Sequence, residues 1–201
     1  MSLIPNKEQR VGIFIDIQNL YHSAKNLYGG RVNYNELIKQ LIDGRRLVRA
    51  LAYVVKSTPE TGEESFFDAL EKSGIELRSK EIQVFSSGVK KADWDVGIAV
   101  DAIRMADMLD VVILVSGDGD FLPLVNYLQW GLGKGVEVAA FGRTSSSRLR
   151  ESADRFLDLD SAPRMVFKTT RKTNLNSGIV RPTRKIRIPR AAEGGPRQRQ
   201  E

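Results

Sequence analysis

The sequence contains no cysteine and a single histidine, His22, among its 201 residues. Without cysteine the chain can form no disulfide and has no thiolate nucleophile or ligand, which is compatible with a reducing cytosol. Nothing in the sequence indicates a histidine-based acid–base pair. No segment approaches the roughly 18 apolar residues of a membrane span, and MSLIPNKEQR has no apolar signal core. We therefore expect a cytoplasmic protein with no membrane contact.

Positive charge is concentrated in the last part of the chain. Residues 166–201 contain ten lysines and arginines and two acidic residues, a net charge of +8, whereas residues 1–165 carry −2. The final segment has few large apolar residues and no periodicity, which predicts a disordered basic tail after a folded domain at residues 1–165. Two interpretations of this tail stay open: a solvated extension that aids solubility, or an arm that attracts nucleic-acid phosphates without reading sequence.

Short apolar segments alternate with amphipathic ones along the first 165 residues. Buried strands are predicted in VGIFIDI, LVRALAYVVK, VVILVS and VEVAAFG, with weaker strands within IELRSKEIQVF and RFLDL. Helices are predicted between the strands. This alternation predicts an α/β fold with a mostly parallel sheet and helices on both faces. Ligands of such folds bind beyond the carboxyl ends of the strands, near the point where strand order reverses.

Acidic residues follow two of the predicted buried strands. Asp16 comes at the end of VGIFI, and Asp118 and Asp120 come just after VVILVS. These carboxylates are expected at one edge of the sheet, where they would repel one another unless a cation intervened. Carboxylate-rich sites suit Mg²⁺ or Mn²⁺. A structural role is also open for each residue, because Asp16 and Asp120 could cap helices and Asp118 could close the turn around Gly119.

The predicted helix in DWDVGIAVDAIRMADML adds further acids. Asp95 falls on its inward stripe near the helix start, where the dipole favours a carboxylate, and is predicted to bind a metal or water. Asp101 is displaced by roughly a third of a turn. For Asp101, a metal-ligand role and a surface ion pair with Arg104 stay equally open. Asp93 is expected to cap the helix.

Three separated motifs, VGIFIDIQN, KADWDVGIAVDAI and VVILVSGDGDF, are followed by a GVEVAAFG strand. In order and spacing they resemble the NYN domain, a family that includes LabA-like bacterial proteins and belongs to the PIN-like nuclease superfamily. The resemblance covers residues 10–160. It implies a PIN-like, Rossmann-like three-layer α/β/α sandwich and metal-dependent ribonuclease activity.

The resemblance also implies a set of site residues. The family's asparagine and acidic positions correspond to Asn19, Asp16, Asp95, Asp101, Asp118 and Asp120. This chain departs from the family pattern by placing Asp93 and Trp94 between Lys91 and Asp95, so the alignment is less sharp there.

RNA phosphodiester hydrolysis fits these residues. One or two Mg²⁺ or Mn²⁺ ions, about 4 Å apart when paired, can activate a water and stabilise the leaving oxygen. Asp16, Asp95, Asp118 and Asp120 would hold the ions as catalytic residues, and Asn19 would orient a carboxylate or water. RNA contacts are predicted for four more residues, each of which has a structural alternative: Lys90, Lys91, Ser116 and Arg143.

Other functions are compatible with parts of this pattern. A non-cleaving RNA- or protein-binding regulator could keep the acidic cluster as a scaffold, and LabA-like relatives are associated with bacterial regulation. A nucleotide-sugar transferase could use an Asp-x-Asp pair but would leave Asp16 and Asp95 unexplained. A phosphatase with Asp16 as nucleophile needs a second acid at position 18, which is Gln18. RNA is the expected partner, and a protein partner or a homodimer stays open.

Overall fold

The computed structural model describes residues 5–56, 63–81, 83–84, 90–91 and 93–168. The strands are β1 (Arg10–Asp16), β2 (Gly30–Val32), β3 (Arg46–Lys56), β4 (Glu76–Glu81), β5 (Gln83–Val84), β6 (Lys90–Lys91), β7 (Val111–Val115), β8 (Gly135–Ala140), β9 (Arg155–Asp158) and β10 (Val166–Lys168). The helices are α1 (Ile17–Tyr28), α2 (Tyr34–Ile42), α3 (Glu63–Lys72), α4 (Asp95–Met105), α5 (Leu122–Asn126) and α6 (Ser147–Ser152). Helix α5 follows a 3₁₀ turn at Gly119–Phe121 and continues as a π-helix over Tyr127–Gly131.

Six of the strands in these ranges form one parallel sheet in the order β4-β3-β1-β7-β8-β9. The chain moves from β1 outward to β3 and β4, and then returns to the other side of β1 at β7. Strand order therefore reverses between β1 and β7, and the carboxyl ends of these two strands border the crevice where such folds bind ligands. The predicted α/β fold with a mostly parallel sheet is confirmed.

Helices cover both faces of this sheet. Ile13 and Ile15 of β1 belong to a buried cluster with α1, α2 and α3, in which Leu20 is fully buried. Phe14, between them in sequence, belongs to a second cluster with α4, α5 and α6. Because alternate side chains of a strand point to opposite faces, a strand covered on both sides must be apolar throughout. The three-layer α/β/α sandwich is thus confirmed.

Two short antiparallel pairs lie outside the main sheet, and no pattern in the sequence predicts their pairing. Strand β2 pairs with β10, and β5 pairs with β6. Strand β10 uses the first residues of the segment assigned to the basic tail, since Val166 pairs with Val32. Residues 169–201 lie outside the described residues, so the division into domain and tail, and the role of the tail, stay predictions.

Several helix ends in the described residues follow local sequence signals, whereas the start of α4 does not. Helix α1 ends at Gly29, whose φ of 59° is the left-handed conformation that glycine adopts readily. Helix α2 begins after Asn33, whose side chain accepts a hydrogen bond from the backbone of Glu36 at 3.2 Å. The N-cap position of α4 is occupied by Trp94 rather than by Asp93, so that expectation was wrong. No helix within the described ranges is long and apolar enough to cross a membrane.

A buried ion pair joins α2 to the sheet. Arg45, just after α2, donates to both carboxylate oxygens of Glu137 on β8 at 2.7 and 2.9 Å. The same guanidinium donates to the carbonyls of Leu41 and Ile42 at 2.7 and 3.1 Å, and so binds the end of the helix. The side chains are 1% and 7% exposed, which explains how a charged residue is accommodated in the apolar strand β8.

Candidate metal centre

Asp16 is fixed at the point where β1 passes into α1. One of its carboxylate oxygens accepts a hydrogen bond from the backbone N–H of Asn19 at 3.0 Å, which caps the helix. The other oxygen accepts from the hydroxyl of Ser116 at 3.1 Å. Ser116 follows β7, the parallel neighbour of β1, so one side chain bridges the two strand ends. Asp16 therefore caps α1 and also lies at the edge of the sheet where the other acids are found.

The turn after β7 is held from two sides. The side-chain oxygen of Asn19 accepts from the N–H of Gly117 at 3.0 Å, and the N–H of Ser146 donates to the carbonyl of Gly117 at 2.9 Å. A Cβ on Gly117 would lie 3.0 Å from the backbone of Ser145, so this close approach favours glycine. Asn19 thus positions the turn that carries the next two aspartates.

Asp118 and Asp120 share a local network. The N–H of Asp118 donates to the Ser116 hydroxyl at 3.2 Å, and the Asp118 carboxylate accepts from the N–H of Asp120 at 3.0 Å. Asp118 is therefore the residue that caps the 3₁₀ turn before α5. The capping role considered for Asp120 belongs to Asp118, and the Asp120 side chain is exposed.

Three aspartates from two elements converge at this edge. One carboxylate oxygen from each of three residues lies within 4.8 Å of the other two. These residues are Asp95, at the start of α4, and Asp118 and Asp120, in the turn after β7. Asp95 and Asp118 are half-buried. A group of three oxygen donors at this spacing matches the preference of hard divalent cations.

The electrostatics of the edge disfavour so many negative charges. Burial raises the pKa of Asp95, and the charges of Asp16, Asp118, Asp93 and Asp120 raise it further. Each of these neighbours penalises the ionised form, as expected for carboxylates that share a site. A bound divalent cation would reverse this penalty, so the donor set fits a hard divalent cation in both chemistry and charge.

Asp16 lies near the three converging aspartates and interacts electrostatically with Asp95 and Asp118. Burial raises its pKa, the hydrogen bonds from Asn19 and Ser116 oppose that rise, and the charge of Asp118 adds to it. The two hydrogen bonds favour the ionised carboxylate that a cation requires.

Asp101 has a different environment. Its carboxylate accepts a hydrogen bond from the Tyr53 hydroxyl at 3.1 Å and lies 3.7 Å from the Nε of Arg78. Arg104 approaches it at 3.8 Å, so the ion pair that the sequence left open is confirmed. Asp101 does not belong to the group of three aspartates, and we do not carry it into the proposed ligand set.

The residues predicted to contact RNA differ in placement. Ser116 is fully buried, and its hydroxyl forms hydrogen bonds with Asp16 and Asp118. This matches a structural role rather than a contact with RNA. Arg143 is half-exposed, but it pairs with Asp160 at 3.0 Å and lies over the Tyr28 ring at 5.0 Å. Lys90 and Lys91 form β6, and their side chains lie outside the described part of the chain.

Comparison with known proteins identifies the family. The NYN domain family matches residues 10–160. The chain belongs to the NYN domain family. The resemblance inferred from three motifs is thereby confirmed.

One curated protein and one solved structure match this chain along most of their own length. Low amplitude and bright protein LabA of Synechococcus elongatus is 27% identical over 173 residues, which are 82% of this chain and 91% of LabA. The crystal structure of a protein of unknown function from Vibrio parahaemolyticus has a TM-score of 0.74 and 33% identity, and the match covers 82% of this chain and 100% of that one.

Proposed function

We propose that this NYN domain protein is a metal-dependent endoribonuclease that hydrolyses RNA phosphodiesters. The observation that carries the proposal is the convergence of Asp95, Asp118 and Asp120 within 4.8 Å at the carboxyl edge of the sheet. Asp16 stands beside them, on the strand next to the reversal point. Membership of the NYN family supports the proposal, because the family belongs to the PIN-like nuclease superfamily.

Asp95, Asp118 and Asp120 would hold Mg²⁺ or Mn²⁺, and Asp16 would add a fourth carboxylate at the rim of the site. A bound ion would supply an activated water and stabilise the leaving oxygen of the phosphodiester. RNA would approach the exposed side of Asp120, because the other two converging aspartates are half-buried.

Residues behind the carboxylates would keep them in place. The Ser116 hydroxyl donates a hydrogen bond to Asp16 and accepts one from the N–H of Asp118, so it links these two acidic residues. Asn19 holds the turn at Gly117. Because a ligand set must be held within fractions of an ångström, these residues act as positioning residues for the acids.

Binding of the RNA backbone would come from basic residues around this edge and from the tail. Lys90, Lys91 and Arg143 remain candidates for phosphate contacts. The +8 charge of residues 166–201 would raise affinity for RNA without sequence preference, and its contribution would fall with salt.

The proposal is tested by incubating structured and single-stranded RNA with the purified protein in Mn²⁺, in Mg²⁺ and in a chelator. Scission that requires the cation and is lost in Asp118→Asn and Asp95→Asn supports the assignment. Asp107→Asn is the matched control, because Asp107 is an exposed acid beyond the other end of α4. Equal cleavage by the wild type and both site variants would contradict the proposal.

A non-cleaving RNA- or protein-binding regulator on the same fold is the second candidate. The similarity to LabA, which covers 91% of that protein, supports this second candidate, because LabA-like proteins are associated with regulation. RNA binding without chelator-sensitive scission in the same assay would support this alternative.

A further inference from the structure

Trp94 is an aromatic residue at the border of the metal centre, immediately before Asp95. Its indole N–H donates to the carbonyl of Val54 on β3 at 2.9 Å, and its ring meets Tyr53 edge-on with centroids 5.3 Å apart. Gly97 leaves space for the ring, since a Cβ there would lie 2.5 Å from an indole carbon. The indole is therefore held in a single orientation while remaining half-buried rather than enclosed.

A cation lies over this ring. The Nζ of Lys80 is 4.7 Å from the Trp94 ring centroid. Lys80 belongs to β4, the edge strand, and is paired in register with Val55 of β3. A rigid aromatic surface and a positive charge thus stand together on the β4 side of the acidic residues.

We propose that Trp94 and Lys80 form a nucleotide subsite beside the metal centre, in which a nucleobase stacks on the indole and Lys80 contacts an adjoining phosphate. This inference rests on the proposed function, because the carboxylates define where the scissile phosphate lies. Consecutive Cα atoms are about 3.8 Å apart, so residues 94 and 95 can contact neighbouring parts of one nucleotide chain.

The chemistry of the pair matches single-stranded nucleic acid. Every base has a flat face that can stack on an aromatic ring, and Lys80, whose Nζ lies over the indole in the RNA-free protein, has a flexible side chain that can turn to a phosphate and leave that ring face to the base. A base already paired inside a duplex cannot reach such a surface. The subsite therefore selects an unpaired nucleotide next to the cleaved bond and accepts any of the bases.

A purely structural role for Trp94 makes a different prediction. As an anchor, the indole would fix the start of α4 through Val54 and Tyr53, and with it the position of Asp95. Removing the ring would then harm cleavage of every substrate equally. A stacking role instead makes binding depend on the presence of a base in the RNA, which can be changed without altering the protein.

The test uses a short single-stranded RNA oligonucleotide and the full chain carrying Trp130→Phe. Trp130 is 88% exposed, and its replacement leaves Trp94 as the sole tryptophan of the chain. Fluorescence is titrated with intact RNA and with RNA that carries abasic sites, with Ca²⁺ in place of Mg²⁺. We expect saturable quenching of Trp94 by intact RNA, and binding about tenfold weaker when the stacked base is missing.

Two protein variants separate the contributions. Trp94→Phe, with Trp130 retained, keeps an aromatic ring and should bind intact RNA more weakly, with no quenching from Trp130. Lys80→Gln should reduce the slope of log affinity against log salt by about one phosphate contact. Absence of RNA binding, unchanged Trp94 fluorescence in bound complexes, or equal affinity for abasic and intact RNA would overturn the subsite.

Cleavage is read on gels from the same protein in Mn²⁺. Cleavage without Trp94 quenching would reject the subsite and leave the nuclease assignment standing. Quenching that depends on the base, without cleavage, would support the subsite and reject the nuclease.

Discussion

The hydroxyl of Ser116 donates a hydrogen bond to Asp16 at 3.1 Å, across the reversal point of the sheet. The same oxygen accepts the N–H of Asp118 at 3.2 Å. One buried serine therefore joins the acid that ends β1 to the acidic turn that follows β7. This bond holds Asp16 in place, whereas burial alone favours its protonated form.

Ser116→Ala is expected to weaken both the fold and the site. The change leaves the N–H of Asp118 without its acceptor and removes the side-chain hydrogen bond to Asp16, at a cost of about 1–2 kcal/mol in the free energy of unfolding. Affinity for Mn²⁺ should fall as well, because Asp16 is no longer fixed. Urea denaturation and calorimetric titration of Mn²⁺ measure the two effects. Ser147→Ala, at an exposed position of α6, is the matched control and should change neither.

Asp95→Asn is expected to stabilise the protein in a chelator and to abolish stabilisation by metal. The pKa of Asp95 is raised, so its ionised form destabilises the folded state increasingly as pH rises above the ordinary value of 3.8. At neutral pH, removing the charge relieves repulsion from the neighbouring acids. Thermal unfolding with chelator and with Mn²⁺ should show an equal or higher Tm in the first condition and a smaller Mn²⁺-induced rise in the second.

The same measurement on Asp107→Asn provides the control for removal of one negative charge. That variant should retain the wild-type rise in Tm on adding Mn²⁺. A full Mn²⁺-induced rise in Asp95→Asn would show that the ion binds elsewhere.

The site illustrates which features local sequence determines. The apolar runs of β1 and β7 mark strands buried on both faces, and parallel pairing then brings Asp16 near Asp118. Which side of α4 faces the site is harder to predict from sequence, because it depends on how the helix packs against the sheet. Asp95 turns to the site as its place on the inward stripe predicted, whereas Asp101 bonds to Tyr53, a partner that helix periodicity could not identify.

Other features had weaker signals or none. Pairing of β2 with β10 joins residues far apart in sequence, and neither segment has a marked strand pattern. The indole bond from Trp94 to Val54 likewise depends on the finished fold. Glu137 did offer a signal: a charge within the apolar strand GVEVAA requires a buried partner, although sequence alone does not identify Arg45.

The ion pair of Arg10 and Asp110 predicts a pH dependence at the opposite end of β1. The hydrogen bonds from the Arg10 side chain and backbone lower the pKa of Asp110 from 3.8 to about 2. A lowered pKa contributes stability that is present above the unfolded value and is lost as pH falls through the folded one. Both side chains are more than a third exposed, so the contribution is less than about 1 kcal/mol.

Asp110→Asn should therefore be less stable than wild type at neutral pH, and the difference should shrink between pH 3.8 and about 2. Urea midpoints across this range measure the effect. A difference that stays constant down to the folded-state pKa would mean that the carboxylate charge is not responsible.

Glu137→Ala is expected to be among the most destabilising substitutions in the domain. It leaves the guanidinium of Arg45, whose side chain is 1% exposed, without its carboxylate, and the loss of one partner from a buried pair costs about 3–5 kcal/mol. Arg155, which is 32% exposed and 3.8 Å from Glu137, is a weaker partner, so Arg155→Ala should cost less than about 1 kcal/mol. Chemical denaturation of each variant gives these values.

The double variant Arg45→Met with Glu137→Leu distinguishes the cost of an unpaired charge from the cost of lost packing. Removing both charges eliminates the desolvated ion, so the double variant should be more stable than Glu137→Ala. Recovery should be partial, because Arg45 also binds the carbonyls of Leu41 and Ile42 at the end of α2. A double variant as unstable as Glu137→Ala would show that these carbonyl bonds, rather than the ion pair, hold α2 against the sheet.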